Sequence, residues 1–157
     1  MQDDAHTIER AQIDELREHH IGRLLLHAHR QFSLRAIEEL RAHGHDGLSL
    51  AHTNLLANLD TAGTRLTTLA ERAGISKQAI GTLVVDLEAK GYITRTADPA
   101  DRRATLITYT PTGWQFLQDA HHVKRMIEAD YTARLGTAGM ATLRTLLTQL
   151  LDLDQSA

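Results

Sequence analysis

Two adjacent arginines stand in the polar stretch DPADRRATLITYT, residues 98–110. Arg102 and Arg103 follow a turn-forming segment and precede a strand-like run, which predicts a hairpin with two cations at its tip. A guanidinium in such a position can enter a narrow minor groove, where negative potential is concentrated. Asp101 can hold the Arg103 guanidinium by paired hydrogen bonds, and Arg102 would then face a phosphate. A solubilising hairpin tip is the alternative for this stretch taken alone.

A second polar group begins the predicted helix SKQAIGTLVVDLEAK, residues 76–90. The candidates for contacts with bases or phosphates are Ser76, Lys77, Gln78, Ala79 and Thr82, on the side away from the apolar stripe Ile80, Leu83, Val84 and Leu87. Lys77 can neutralise phosphate or donate to guanine, Gln78 can pair with adenine, and Thr82 can reach either base. The methyl group of Ala79 suits a thymine methyl group. A capped surface helix with solvated polar residues is the alternative.

Apolar spacing and helix caps predict the elements that position these side chains. A helix over residues 66–73 would end at Gly74, a favourable C′ residue, and Ser76 would cap the helix that follows. Two helices joined by three residues have the layout of a helix-turn-helix, whose second helix enters the major groove. Strands predicted over residues 92–96 and 105–109 flank the hairpin tip.

Further helices are predicted on both sides of this lobe. They comprise a short helix after Thr7, helices over residues 21–43 and 49–59, and helices that begin at Pro111 and Met140, with a very short strand at 64–65 and an interruption at Gly136. The last helix has an apolar stripe that is too wide for a free helix: Met140, Leu143, Leu147 and Leu150. This stripe needs a partner, either the helix that starts at Ile21 or a second subunit.

Composition excludes several classes of function. The 157 residues suit one domain, or one domain with an oligomerisation arm, and contain no cysteine, which excludes thiol catalysis, disulfides and cysteine-based zinc sites. Without a secretory signal or a run of about 18 apolar residues, we expect a soluble cytoplasmic protein with no membrane partner. Motifs of nucleophile, phosphate or dinucleotide sites are absent, so we expect neither an enzyme nor a cofactor. The net charge is −3, yet residues 64–113 contain seven basic and five acidic side chains, and such a face can bind phosphate.

Residues 66–114, LTTLAERAGISKQAIGTLVVDLEAKGYITRTADPADRRATLITYTPTGW, resemble the multiple-antibiotic-resistance regulator (MarR) family of winged-helix transcription factors. The most specific pieces are LAERAGISKQAI, DPADRRA and YTPTG. The resemblance implies a mainly α fold with a small β-hairpin wing, with residues 76–90 as recognition helix and 98–103 as wing tip. Arg103 and Asp101 match the family's wing arginine and its bracing aspartate. Thr82 departs from the pattern, because a second basic residue is common at its position.

The same resemblance implies a domain organisation and a function. Residues 1–48 would be N-terminal helices of a dimerisation arm, 49–110 the winged helix-turn-helix lobe, and 111–157 the C-terminal dimerisation helices. We expect a homodimer that represses transcription from a pseudo-palindromic double-stranded DNA operator, with recognition helices about 34–36 Å apart. A small-molecule effector, typically anionic and aromatic, would bind between the dimer arms and the lobes. The candidate pocket residues are His27, Arg30, His52 and Trp114.

Ten histidines leave an alternative open, a metal- or pH-responsive regulator on the same fold. No two of them are three or four residues apart, the spacing that a zinc site on one helix favours, so we predict no metal site. A dimeric interaction protein that has lost operator binding is the alternative from another class.

Overall fold

The computed structural model describes residues 19–155, and of Arg102, Arg103 and residues 153–155 only the backbone. Within this range the elements are, in chain order, α1 Ile21–Ala42, α2 Leu50–Ala57, β1 Thr64–Arg65, α3 Leu66–Ala73, α4 Lys77–Ala89, β2 Ile93–Asp98, β3 Asp101–Tyr109 and α5 Pro111–Gln155. The chain is mostly helical with one small antiparallel sheet, which confirms the predicted fold class. The helix predicted after Thr7 lies outside the described residues.

The chain divides into two compact units, residues 1–35 and 36–157. In the described part of the first unit, most apolar side chains of α1 are exposed, among them Ile21, Leu24, Leu25, Leu26 and Leu34. The second unit contains the end of α1 and every later element. The functional boundaries predicted at 48/49 and 110/111 stay predictions.

The helix-turn-helix forms through two adjoining caps. Gly74 takes a left-handed conformation with φ 63° and ends α3, and the Ile75 N–H donates to the carbonyl of Ala70 at 3.3 Å. The Ser76 hydroxyl then accepts from the Ala79 N–H at 3.2 Å and caps α4. Both caps agree with the sequence prediction. The packed core that holds the two helices includes Leu55, Leu56, Leu69, Ile80, Val84, Leu87, Ile93 and Ile107.

The sheet has the strand order β1-β3-β2, and all of its pairs are antiparallel. The strands β2 and β3 are longer than predicted, so that only Pro99 and Ala100 remain in the turn between them. Asp101, Arg102 and Arg103 therefore lie at the start of β3 rather than in the loop predicted between residues 96 and 105, which corrects the prediction. Alternating burial marks a strand in sequence, but residues 94–97 are all exposed, and backbone pairing extends the ladder without an apolar pattern.

The final segment begins and breaks where the sequence predicts. Thr110 Oγ1 accepts from the Gly113 N–H at 3.1 Å and caps α5. Gly136, with φ 74° and ψ 160°, divides α5 into helices over residues 111–135 and 137–155. An ion pair between Arg144 and Glu128 then joins the two halves, so the chain reverses at this glycine.

The buried side of the first half of α5 is Phe116, Ala120, Val123 and Ile127. Helical spacing in the sequence instead predicts one shared side for Trp114, Leu117, Ala120 and Val123. Trp114 is 43% exposed and Leu117 is half-buried. The stripe is thus shifted around the helix, because residue 116 and not residue 114 points to the core.

Candidate nucleic-acid interface

The second helix of the helix-turn-helix presents one polar exposed face. The five recognition-helix residues predicted to contact DNA lie on it and are exposed: Ser76, Lys77, Gln78, Ala79 and Thr82. The opposite face buries Ile80, Val84 and Leu87, whereas Leu83 is only half-buried. Thr82 Oγ1 donates to the carbonyl of Gln78 at 3.2 Å, which leaves its oxygen as a hydrogen-bond acceptor.

Lys77 is exposed at the first turn of α4. Other basic side chains are ion-paired: Arg65 with Asp98, Arg72 with Asp60, Lys90 with Asp86, and Arg95 with Glu88. Among the described side chains of residues 64–101, Lys77 is the basic one without such a partner. The Lys77 ammonium is therefore available to phosphate at the first turn of α4.

An open groove of about 770 Å³ runs along this face of α4. Its walls are the start of α2, with Ser49 and His52, and α4 residues that include Gln78, Thr82 and Val85. Val85 is 56% exposed, so the middle of the helix offers an apolar surface inside the groove.

His52 is buried at the wall of this groove and has both ring nitrogens engaged. Its Nδ1 accepts from the Ser49 N–H at 3.1 Å, which places the ring proton on Nε2, and Nε2 lies 3.0 Å from an Asp86 carboxylate oxygen. Burial lowers the pKa of His52, against the opposing effect of the Asp86 charge. The Lys90 ammonium, 2.9 Å away, lowers the pKa of Asp86. Asp86 is thus a partnered charge rather than a free acid on the groove side of α4.

The wing turn is held by residues that the sequence analysis did not single out. Asp98 is buried and accepts from Arg65 through one carboxylate oxygen and from the Ala100 N–H through the other. The Ala100 and Arg65 hydrogen bonds lower the pKa of Asp98. The available signal was an aspartate directly before a proline, which is typical of a turn closed by the aspartate side chain.

Asp101 is exposed at the start of β3. The side chains of Arg102 and Arg103 lie outside the described part of the structure. The predicted support of Arg103 by Asp101 therefore stays a prediction.

The effector-pocket residues occupy different environments. His27 and Arg30 are exposed on α1, in the first unit. In the second unit, His52 lines the α4 groove, while Trp114 begins α5 with its ring 5.7 Å from that of Tyr109. Their role as an effector site stays a prediction. In the predicted dimer stripe, Met140 is half-buried and Leu143, Leu147 and Leu150 are exposed by 39%, 37% and 47%.

A second buried histidine lies behind the wing. His45 has Nδ1 at 3.0 Å from the Tyr92 hydroxyl and Nε2 at 3.0 Å from an Asp119 carboxylate oxygen. These contacts connect the loop after α1 to the start of β2 and to α5. Within residues 19–155, no group of three or more His, Asp or Glu side chains has the arrangement of a metal site.

Comparison with known proteins finds a family match over the segment that contains the helix-turn-helix and the wing turn. The MarR family model matches residues 46–104, which contain α4 and the wing turn. This winged-helix segment is therefore similar to the MarR family. A curated protein of Thauera aromatica, described as a transcriptional regulatory protein for the hcr operon, is 34% identical over 88 residues. That match covers 56% of this chain, and the chain spans about half of the relative, 53%.

Several solved structures share the fold. CouR from Rhodococcus jostii RHA1, bound to p-coumaroyl-CoA, has a TM-score of 0.69 at 26% identity, over 88% of this chain and 92% of its own. The regulator Tm0710 from Thermotoga maritima has a TM-score of 0.61 at 26% identity, over 86% and 94%. The reduced form of MarR from E. coli has a TM-score of 0.72 at 22% identity, over 83% and 96%. The chain is therefore similar to transcriptional regulators along most of its length.

None of the helices in the described range is both long and apolar enough to span a membrane.

Proposed function

We propose that this protein is a sequence-specific DNA-binding transcriptional regulator that acts as a ligand-responsive repressor. The observation that carries the proposal is the exposed face of α4, where Lys77, Gln78 and Thr82 project from the second helix of a helix-turn-helix. These are the side-chain types that contact phosphates and base edges in a major groove. Arg102 and Arg103, at the start of β3, would supply a second basic surface.

A homodimer on a pseudo-palindromic operator follows from the apolar surfaces of the single chain. Leu143, Leu147 and Leu150 form one exposed stripe in the second half of α5. A continuous stripe of large apolar side chains is typical of an interface rather than of a solvated helix. Burial of this stripe against a second copy would present two α4 helices to successive turns of DNA.

The effector class follows from the family resemblance and from one relative. CouR binds an aromatic acid as its CoA thioester, and an anionic aromatic compound or its thioester is the effector that we propose for this chain. The candidate contacts remain His27, Arg30, His52 and Trp114. We also propose that the protein has no catalytic activity, needs no cofactor and is cytoplasmic, as expected for a transcriptional regulator.

Fluorescence anisotropy with duplex DNA from upstream of the protein's own gene tests the function. We expect tight binding that resists unspecific competitor DNA and weakens steeply with salt. Arg103→Ala should weaken binding by about 1–3 kcal/mol, because it removes the predicted minor-groove contact. Weak binding of the wild type to this duplex and to a random duplex pool would favour a dimeric interaction protein instead. Binding that responds to pH or to added metal, but not to aromatic acids, would favour the metal- or pH-responsive alternative.

A further inference from the structure

Arg65 and Asp98 join the two outer strands of the sheet across its central strand. Arg65 on β1 and Thr96 on β2 are both paired with Leu106 of β3, so they stand in one cross-strand row. Asp98 lies two residues beyond Thr96, at the end of β2. The Arg65 side chain therefore crosses β3 to reach Asp98, with its Nε at 2.7 Å and its Nη2 at 2.6 Å from the same carboxylate oxygen.

The carboxylate of Asp98 also closes the wing turn. Its second oxygen accepts from the Ala100 N–H at 2.8 Å, inside the two-residue connection between β2 and β3. Asp98 is 7% exposed, unlike the carboxylates of ordinary surface ion pairs, whose contribution is small. One buried carboxylate thus holds the guanidinium with one oxygen and the turn with the other. We refer to this arrangement as the Arg65–Asp98 clamp.

The positions of Arg65 and Asp98 in the chain explain what this contact connects. Arg65 is the residue that immediately precedes α3, the first helix of the helix-turn-helix, and its side chain makes no cap to that helix. Asp98 is paired with Asp101, the residue that starts the wing segment with Arg102 and Arg103. The contact therefore connects the start of the helix-turn-helix to the turn from which the wing arginines emerge.

We propose that Arg65 is a positioning residue for DNA binding, which acts through Asp98 by fixing the wing turn relative to the helix-turn-helix. The proposal rests on the proposed function as a DNA-binding regulator. A direct phosphate contact is the competing role for Arg65, because its side chain is 45% exposed. The two roles differ in one respect: a positioning residue loses its effect when Asp98 is removed, whereas a phosphate contact does not.

A double-mutant cycle measured as operator affinity separates these roles. The duplex is one selected from a random pool by the wild type, and the variants are Arg65→Ala, Asp98→Ala and the double variant. We expect each single change to weaken binding about three- to tenfold, and the double variant to bind no more weakly than the weaker single one. If the loss of affinity in the double variant equals the product of the losses in the two single variants, Arg65 contacts DNA by itself and the proposal is overturned.

Arg95→Ala is the matched control. Arg95 lies on β2, is 38% exposed and pairs with Glu88 at 3.1 Å, so its removal takes the same charge and one ion pair from the same lobe. When Arg95→Ala is combined with Asp98→Ala, the two losses of operator affinity should multiply. Equal coupling of Arg95 and Arg65 to Asp98 would mean that both changes weaken binding only through a general loss of charge, and it would overturn the proposal.

Amide hydrogen exchange gives a readout that needs no DNA. In Arg65→Ala, the Ala100 amide should exchange faster than in the wild type, while the amide of buried Val84 should keep its protection. Arg65→Lys, which keeps the charge but not the guanidinium, should recover only part of the affinity. Unchanged exchange at Ala100, or equal loss at Val84, would contradict a local clamp.

The experiments distinguish failure of the proposed regulator function from failure of the proposed role of Arg65. If the wild type selects no duplex, the regulator function is wrong, and the role of Arg65 in DNA binding is wrong with it. If the wild type binds and Lys77→Ala weakens binding while Arg65→Ala does not, only the clamp is wrong.

Discussion

At the scale of single residues, His52 shows how one ring can be committed to a tautomer by its neighbours. The Ser49 N–H donates to Nδ1, so a proton added to Nδ1 would place two N–H groups against each other. The Asp86 carboxylate favours the charged ring, but burial outweighs it and lowers the pKa of His52. A neutral His52 is therefore part of the folded state at neutral pH.

This lowered pKa predicts a loss of stability in mild acid. Below the ordinary value of 6.5 the unfolded chain protonates at His52 while the folded chain does not, so the free energy of unfolding falls as pH falls. The loss continues until pH reaches the folded pKa. In urea titrations below about pH 6.5, we expect the free energy of unfolding to fall less steeply for His52→Gln than for the wild type.

His27→Gln is the control, because His27 is an exposed histidine on α1. It should leave the pH dependence as in the wild type. If both variants keep the same dependence, the neutral-ring account of His52 is wrong.

At the scale of elements, the approach of α5 to the sheet depends on a missing side chain. A Cβ at Gly113 would stand 2.0 Å from the carbonyl oxygen of Tyr92 and 2.9 Å from the Tyr109 ring. Thr110 caps α5 at the same place, and its N–H donates to that Tyr92 carbonyl at 3.1 Å. The TPTG sequence therefore allows the helix to start directly on the backbone of β2.

Gly113→Ala should destabilise the fold by about 1–3 kcal/mol or more, because helix and strand must separate to admit the methyl group. Gly81→Ala is the matched change in the middle of α4, where an added Cβ meets nothing within 4 Å. It should leave stability unchanged or raise it by up to about 1 kcal/mol. Equal effects in urea unfolding would show that close packing at Gly113 does not hold α5.

Elements with local signals were predictable, and contacts between distant residues were not. Ser76, Gly74, Thr110 and Gly136 marked helix ends correctly, because a cap or a positive φ depends on neighbouring residues. The wing strands were predicted too short, because their outer halves are polar and form by pairing with each other.

The same limit applies to the candidate site. The exposed face of α4 follows from helical periodicity, and it was predicted residue by residue. The ion pairs Arg65–Asp98 and His52–Asp86 join residues more than 30 positions apart, and only the packed fold brings them together. Oppositely charged residues are common in any chain, so their types alone do not indicate which of them meet.

At the scale of the whole molecule, the exposed apolar side chains of the single chain indicate that it assembles with a second copy. The stripe of Leu143, Leu147 and Leu150 lies in the last helix, and the apolar residues of α1 in the first unit are likewise exposed. Leu147→Asp should convert the protein to a monomer or prevent folding, because a carboxylate would be buried in the interface. Sedimentation velocity measures the outcome.

Val85→Asp is the control for this change. Val85 is also an exposed apolar residue, 56% accessible, but it lies on α4. It should leave the oligomeric state of the wild type unchanged. An unchanged dimer with Leu147→Asp would remove this stripe from the interface.

The most direct test of the account is the sequence preference of wild type and Gln78→Ala in selection from random duplex DNA. The account predicts that the wild type enriches an inverted repeat. Gln78→Ala should relax preference at one base pair in each half-site, with a loss of about 1–3 kcal/mol of discrimination there. Gly81→Ala, on the same helix but without a polar side chain to lose, should keep the preference at that base pair. No enriched sequence, or an identical preference in the wild type and Gln78→Ala, would contradict the assignment of α4 as the helix that reads DNA.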